Sequence, residues 1–140
     1  MTLRSFTFAA AGALAAAFAA GCATGDTDMD ASAEADERLA AFTQTGETRN
    51  CLSVRSIDEI EPLDASRWLV TTVGGDQYLN EVSRGCSNAA SNFTYLQYST
   101  PTGRLCANEI VRVRDRSTNL IQGSCGLGEY QRLETREDAG

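Results

Sequence analysis

Five thiols are the first groups of chemical interest in the 140-residue chain: Cys22, Cys51, Cys86, Cys106 and Cys125. An odd count leaves at least one of them outside any intramolecular disulfide. Their surroundings divide them. Cys22 closes an apolar stretch near the N-terminus, whereas the other four are spread over the middle and end of the chain. None of the four sits in a C-x-x-C pair, the spacing that a Cys₄ zinc site or a redox-active dithiol favours. Four such cysteines in an exported domain read as two disulfides, and spacing leaves all three pairings open. Other chemistry is absent from the alphabet. There is no His, and all twelve basic residues are Arg. A Ser-His-Asp triad, a Cys-His pair, a His-based zinc site and a Schiff-base lysine therefore cannot be built within this chain.

The remaining candidates are carboxylates, glycines and arginines. Asp26, Asp28, Asp30 and Glu37 fall at positions 1, 3, 5 and 12 of a calcium-loop template. Position 6 is Ala31, where such a loop needs Gly, so a solvated acidic run is the expected reading and no metal is expected. Glu59 and Glu61 are placed to share a strand face, and Asp115 and Glu129 lie near strand ends. Nothing in the sequence marks a pocket around them, which makes them ordinary surface carboxylates. The run Gly123-Ser124-Cys125-Gly126-Leu127-Gly128 lacks the Lys and the helix of a phosphate cradle and reads as a β-turn beside a disulfide. Arg112, Arg114 and Arg116 form a stripe, with Arg104 nearby in sequence. The plainer reading is a solvated face balanced by Glu109, Asp115 and Glu129. The functional reading is a docking surface for an anionic partner: a protein, a lipid headgroup or an envelope polysaccharide. Trp68 and Tyr78, at strand positions, are expected in the core. A net charge of −7 argues against a nucleic-acid partner. No catalytic constellation emerges, so a non-enzyme without cofactor is expected.

Arg4 is the only charge before Asp26, and residues 6–20 read FTFAAAGALAAAFAA. A basic start, a short apolar run and small residues at its end describe a secretory signal peptide. The run is shorter than the ~20 residues of a membrane span. Its end, Ala19-Ala20-Gly21-Cys22, resembles the lipobox of bacterial lipoproteins, with Ala19 where Leu is usual. The resemblance implies cleavage after residue 21 and lipidation of Cys22. Each buried CH₂ of acyl chain contributes about 0.8 kcal/mol, and the three chains of such lipoproteins make a permanent anchor. Ala23 stands where the lipoprotein sorting rule places Asp for inner-membrane retention. The expected address is therefore the outer membrane, facing the periplasm.

Residues 23–49 carry seven carboxylates against Arg38 and Arg49, a net of −5. With few large apolar side chains, this segment is expected to act as an acidic tether spanning roughly 30 Å as a coil. A short helix is predicted over 32–43, where Ala35, Leu39 and Phe42 recur at i, i+4 and i+7, with Gly46 as a stop. The folded part is expected over 50–133, and residues 134–140 as a frayed tail. Its nine acidic and eight basic residues leave a net of −1, so the acidity of the chain belongs to the tether and tail. Strands are predicted at 56–60, 67–73, 77–82, 93–98, 109–114 and 128–133. Gly74-Gly75 forms a hairpin, and 83–92 forms a loop. Five or six short strands in a single small domain predict a mainly β fold, an antiparallel barrel or sandwich stapled by disulfides.

A wider pattern runs through the folded part. Cys51-Leu52 is followed by Ile57, Ile60 and Pro62-Leu63, then by Trp68-Leu69-Val70, Tyr78-Leu79 and Cys86. Gly103-x-Leu105-Cys106, Ile110 and Cys125 complete it. The arrangement resembles a group of small proteobacterial lipoproteins defined only as a domain of unknown function, over about residues 51–133. The resemblance implies no catalytic residues. It favours the pairing Cys51–Cys106 with Cys86–Cys125. The expected role is non-catalytic interaction or structure at the cell envelope, with the lipid in the membrane and an unidentified protein or envelope component as partner. The alternative is a small-ligand carrier or an inhibitor of an exogenous enzyme; a sizeable apolar cavity would favour the carrier.

Overall fold

The computed structural model describes residues 27–83 and 86–137. The apolar N-terminal stretch, Cys22 and Asp26 lie outside the described residues, as does Arg84.

The described residues begin with helix α1 (Thr27–Leu39) and continue into strand β1 (Phe42–Arg49). Nine strands follow: β2 (Cys51–Ser53), β3 (Ile57–Pro62), β4 (Arg67–Thr72), β5 (Gln77–Glu81), β6 (Thr94–Gln97), β7 (Arg104–Cys106), β8 (Ile110–Asp115), β9 (Ile121–Gly126) and β10 (Tyr130–Thr135). A 3₁₀ turn, Val54–Ser56, joins β2 to β3. All pairings are antiparallel. One sheet has the order β1-β10-β5-β4-β3, a second is β2-β7, and a third is β6-β8-β9. The expected mainly β, disulfide-stapled architecture is present, as open sheets rather than a closed barrel.

Strand β4 shows why the layers form. Its side chains alternate between two apolar surroundings, as the period of two requires. Leu69 meets Leu79 and Leu133 on one face of the large sheet, covered by Leu39, Phe42 and Leu63. Trp68 points to the other face, into a cluster with Leu105, Val111, Val113 and Cys125 from the smaller sheets and Leu127 from the β9–β10 connection. Val70 packs beside it with Leu52, Tyr78 and Tyr130, where the two tyrosine rings meet edge to face at 6.3 Å. Burial on both faces explains the unbroken apolar run Trp68-Leu69-Val70 in this strand.

The helix ends at Leu39 rather than Thr43, because Phe42 already begins a strand. Leu39 and Phe42 still reach the same apolar cluster, from two different elements. Residues 42–49 are thus part of the sheet rather than tether. β1 pairs along β10, and Gly46, at φ +85°, occupies the irregularity between Gln44 and Thr48. At the other end, β10 carries the ladder through Glu134 and Thr135, which were expected to fray. The Gly-rich run that reads as a β-turn is largely strand β9, paired to β8 from Gly126 to Ile121.

Two disulfides staple this arrangement. Cys51 and Cys106 face each other directly across β2 and β7. Cys86, buried after β5, is bonded to Cys125 of β9. This is the pairing that the family resemblance favoured.

Candidate functional site

Among the strands with a neighbour on one side only, two border the same space: β3, at one border of the large sheet, and β6, at one border of the three-stranded sheet. Both edges line one cleft of about 960 Å³. Helix α1 and the 89–92 segment complete its walls. In an antiparallel ladder, residues whose backbone faces the partner alternate with residues whose backbone faces away. Leu63 N–H donates to Arg67 O at 2.9 Å. Stepping back along the register, Glu61 and Glu59 bond to β4, and Ile60 turns its N–H and C=O to the open edge. On the opposite wall Arg116 N–H donates to Phe93 O at 2.8 Å. Tyr95 and Gln97 therefore bond to β8, and Leu96 turns its backbone outward.

The cleft has an apolar floor and a charged rim. Ile57, Ile60, Leu96 and Tyr98 are half-buried and pack against the central core. Glu34, Asp58, Glu59 and Glu61 stand around them, against Arg38 and Arg116. Arg38 is taken by Glu61 at 3.2 Å. Four carboxylates against two guanidinium groups leave the lining at a net of −2. Such a surface can bind an extended backbone by strand addition, seat its apolar side chains and attract positive ones. The mixed lining differs from the apolar cavity that a carrier of greasy ligands requires.

The structure divides the predicted arginine stripe. Arg112 and Arg114 lie on β8, with Val111 and Val113 buried behind them, as the alternation predicts. Arg112 is exposed and pairs with no described carboxylate. Arg114 is held by neutral groups, donating to Gln97 Oε1 at 2.5 Å and to Asn119 O at 2.7 Å. Arg116 belongs to the cleft, and Arg104 lies in a separate groove beside β2. The carboxylates expected to balance the stripe are engaged elsewhere or stand alone. Glu109 accepts from Cys106 N–H at 2.6 Å. Asp115 accepts from the hydroxyl of Ser117 and from the N–H groups of Ser117 and Thr118. Those bonds, the hydroxyl's first, pull its pKa down to about 2. Glu129 is exposed and forms no ion pair with a described residue.

The other sequence candidates also find their places. Asp28, Asp30 and Glu37 fall within helix α1, which replaces the loop that the calcium template needs. Among the described residues no cluster of three metal-ligating side chains occurs. Glu59 and Glu61 both reach the cleft, where a register irregularity between Ile57 and Glu59 shifts the face that β3 presents. Trp68 and Tyr78 are buried in the core. Sequence reasoning missed Asp58, Ile60, Leu96 and Tyr98 as members of one site. Only the pairing of both sheets brings them together.

These observations define a class: a disulfide-stapled, mainly β domain with two open strand edges across a shared cleft. The chain belongs to a family of unknown function, DUF6491, whose model matches residues 3–135. The match reaches from the apolar N-terminal stretch to the last residue of β10, taking in α1 and β1. Comparisons with curated proteins and with solved structures gave no match.

Proposed function

We propose that the protein is a lipoprotein, anchored through Cys22 in the outer membrane and facing the periplasm, that acts without catalysis by binding another envelope protein. The cleft between β3 and β6 carries this reading. Two open edges on opposite walls let an extended segment hydrogen-bond to Ile60, to Leu96 or to both. The apolar floor selects alternate apolar side chains in that segment, and the carboxylate rim selects basic ones between them. The signal-peptide pattern and the lipobox-like Ala19-Ala20-Gly21-Cys22 support the address. The lack of His and Lys supports a binding rather than a catalytic role.

The test is in-cell photo-crosslinking from a photoreactive residue at position 95, on the cleft wall. One envelope protein is expected to crosslink. The combined Asp58→Lys and Glu59→Lys substitutions, both at exposed positions, are expected to reduce the yield at least tenfold; Arg112→Ala is expected to leave it unchanged. A yield indifferent to the charge reversal would refute the cleft as the binding site.

A further inference from the structure

A second concavity, of about 750 Å³, lies along β2 and the 100–104 segment. Three arginines from three separate elements meet there: Arg49 at the end of β1, Arg55 in the 3₁₀ turn and Arg104 on β7. Among the described residues no carboxylate lines it. Arg49 alone has a counterion, Glu47 at 3.3 Å, and its guanidinium lies 6.0 Å from the Tyr78 ring centre. Arg55 and Arg104 are exposed and form no ion pair with a described residue. Arg67 and Arg132, by contrast, each hold an aspartate. Around the guanidinium groups stand the hydroxyl-bearing side chains of Ser53, Thr100 and Thr102. The framework is braced. Val54 N–H donates to Gly103 O at 3.0 Å, Gly103 N–H closes a turn onto Thr100 O at 2.9 Å, and the Cys51–Cys106 disulfide locks the two strands beneath.

Three like charges brought to one concavity repel each other, and only one of them has a counterion among the described residues. Guanidinium forks and free hydroxyls are together the donor set that a tetrahedral oxyanion takes. We infer that the Arg49–Arg55–Arg104 groove is a binding site for a phosphate group, free or carried on a lipid headgroup. The site is separate from the β3–β6 cleft and shares no lining residue with it. Arg55 and Arg104 supply the bidentate contacts, and Arg49, steered by Glu47 and Tyr78, closes the rim.

The full-length protein in neutral-headgroup micelles would be treated with phenylglyoxal, which modifies accessible arginines, and mapped by mass spectrometry. Inorganic phosphate at 10 mM or below is expected to slow modification of Arg55 and Arg104 at least fivefold and to leave Arg112 unaffected (roughly the ratio set by near-saturation of one site). In a second arm the protein would be reconstituted in phosphatidylglycerol or phosphatidylcholine vesicles. Protection only in phosphatidylglycerol identifies the headgroup as the source; protection by inorganic phosphate as well identifies the free anion as sufficient. In either arm Arg104→Gln is expected to abolish the protection of Arg55. Overturning results would be no protection in either arm, equal protection of Arg112, or protection of Arg55 that survives Arg104→Gln.

Discussion

Asp64 shows how one side chain sets a turn. It is 5% exposed and accepts from Ser66 N–H at 2.8 Å, Arg67 N–H at 2.7 Å and Arg67 Nε at 2.7 Å. Burial pushes its pKa up, but the Ser66 and Arg67 hydrogen bonds and the Arg67 charge outweigh it, holding the carboxyl below its ordinary 3.8. A lowered folded pKa means the carboxylate stabilises the fold above the unfolded value and loses that contribution as pH falls through the folded one. Asp64→Asn is therefore expected to cost about 1–3 kcal/mol at neutral pH. In urea titrations the gap from wild type should be constant above the ordinary carboxylate range and shrink only in stronger acid. A gap that closes already near neutrality would contradict this. Asn80 plays a comparable part in the core. Fully buried, it donates to Gly128 O and accepts from Gly128 N–H, both at 2.8 Å. Gly128 must be glycine, since a Cβ would lie 2.2 Å from Glu81 O. The core also carries a cost. Trp68 Nε1 and Tyr130 Oη are buried without a partner among the described residues, and burial raises the Tyr130 hydroxyl far above its usual pKa.

At the scale of elements, α1 is fastened by charge as well as by Ala35 and Leu39. Arg67 reaches from β4 to Asp36 and to Ser32 O at 3.1 Å, while also holding Asp64. The disulfides tie elements far apart in sequence, Cys51 to Cys106 over 55 residues and Cys86 to Cys125 over 39. By loop-closure entropy each is worth about 4 kcal/mol. The double Cys86→Ala/Cys125→Ala variant is expected to lose ~3–4 kcal/mol in denaturant titration. A loss under ~1 kcal/mol would show that the β8–β9 ladder alone holds this region. Which elements were legible in the sequence follows the same physics. β8 announces itself because its buried valines alternate with outward arginines, and the β4–β5 hairpin because its strand-forming residues flank Gly74-Gly75. β1 does not: nearly all of it is exposed, and it is held by its ladder to β10 rather than by burial. β2 and β7, three residues each, are too short for a period to show, and β9 hides behind Gly123, Ser124 and Gly126. The helix was visible in its composition, though its end was not, since Leu39 and Phe42 satisfy one apolar cluster whichever element carries them. The cleft was not legible. Its members come from α1, β3, the 89–92 segment and β6, and topology alone brings those together.

The whole molecule separates its charge from its core. The net of −7 reads as a property of the N-terminal segment and tail, yet much of that acidity lies in described structure. Glu34 of α1 faces the cleft, and Asp36 and Glu47 pair with arginines. On the proposed reading the lipid on Cys22 holds this domain at the membrane. Cys22→Ser is expected to shift the protein from the membrane fraction to the soluble periplasmic fraction; retention in the membrane would refute the anchor. The central claim, that a partner segment adds a strand between β3 and β6, is tested most directly by amide hydrogen exchange. The segment identified by crosslinking would be added as a synthetic peptide to the purified protein. Strand addition predicts at least tenfold slower exchange at Ile60, at Leu96 or at both, the amides that face the open edges. It also predicts unchanged exchange at Gln122 and Gly123, on β9 at the opposite border of the same sheet. Binding that leaves both Ile60 and Leu96 exchanging at their free rates would contradict it.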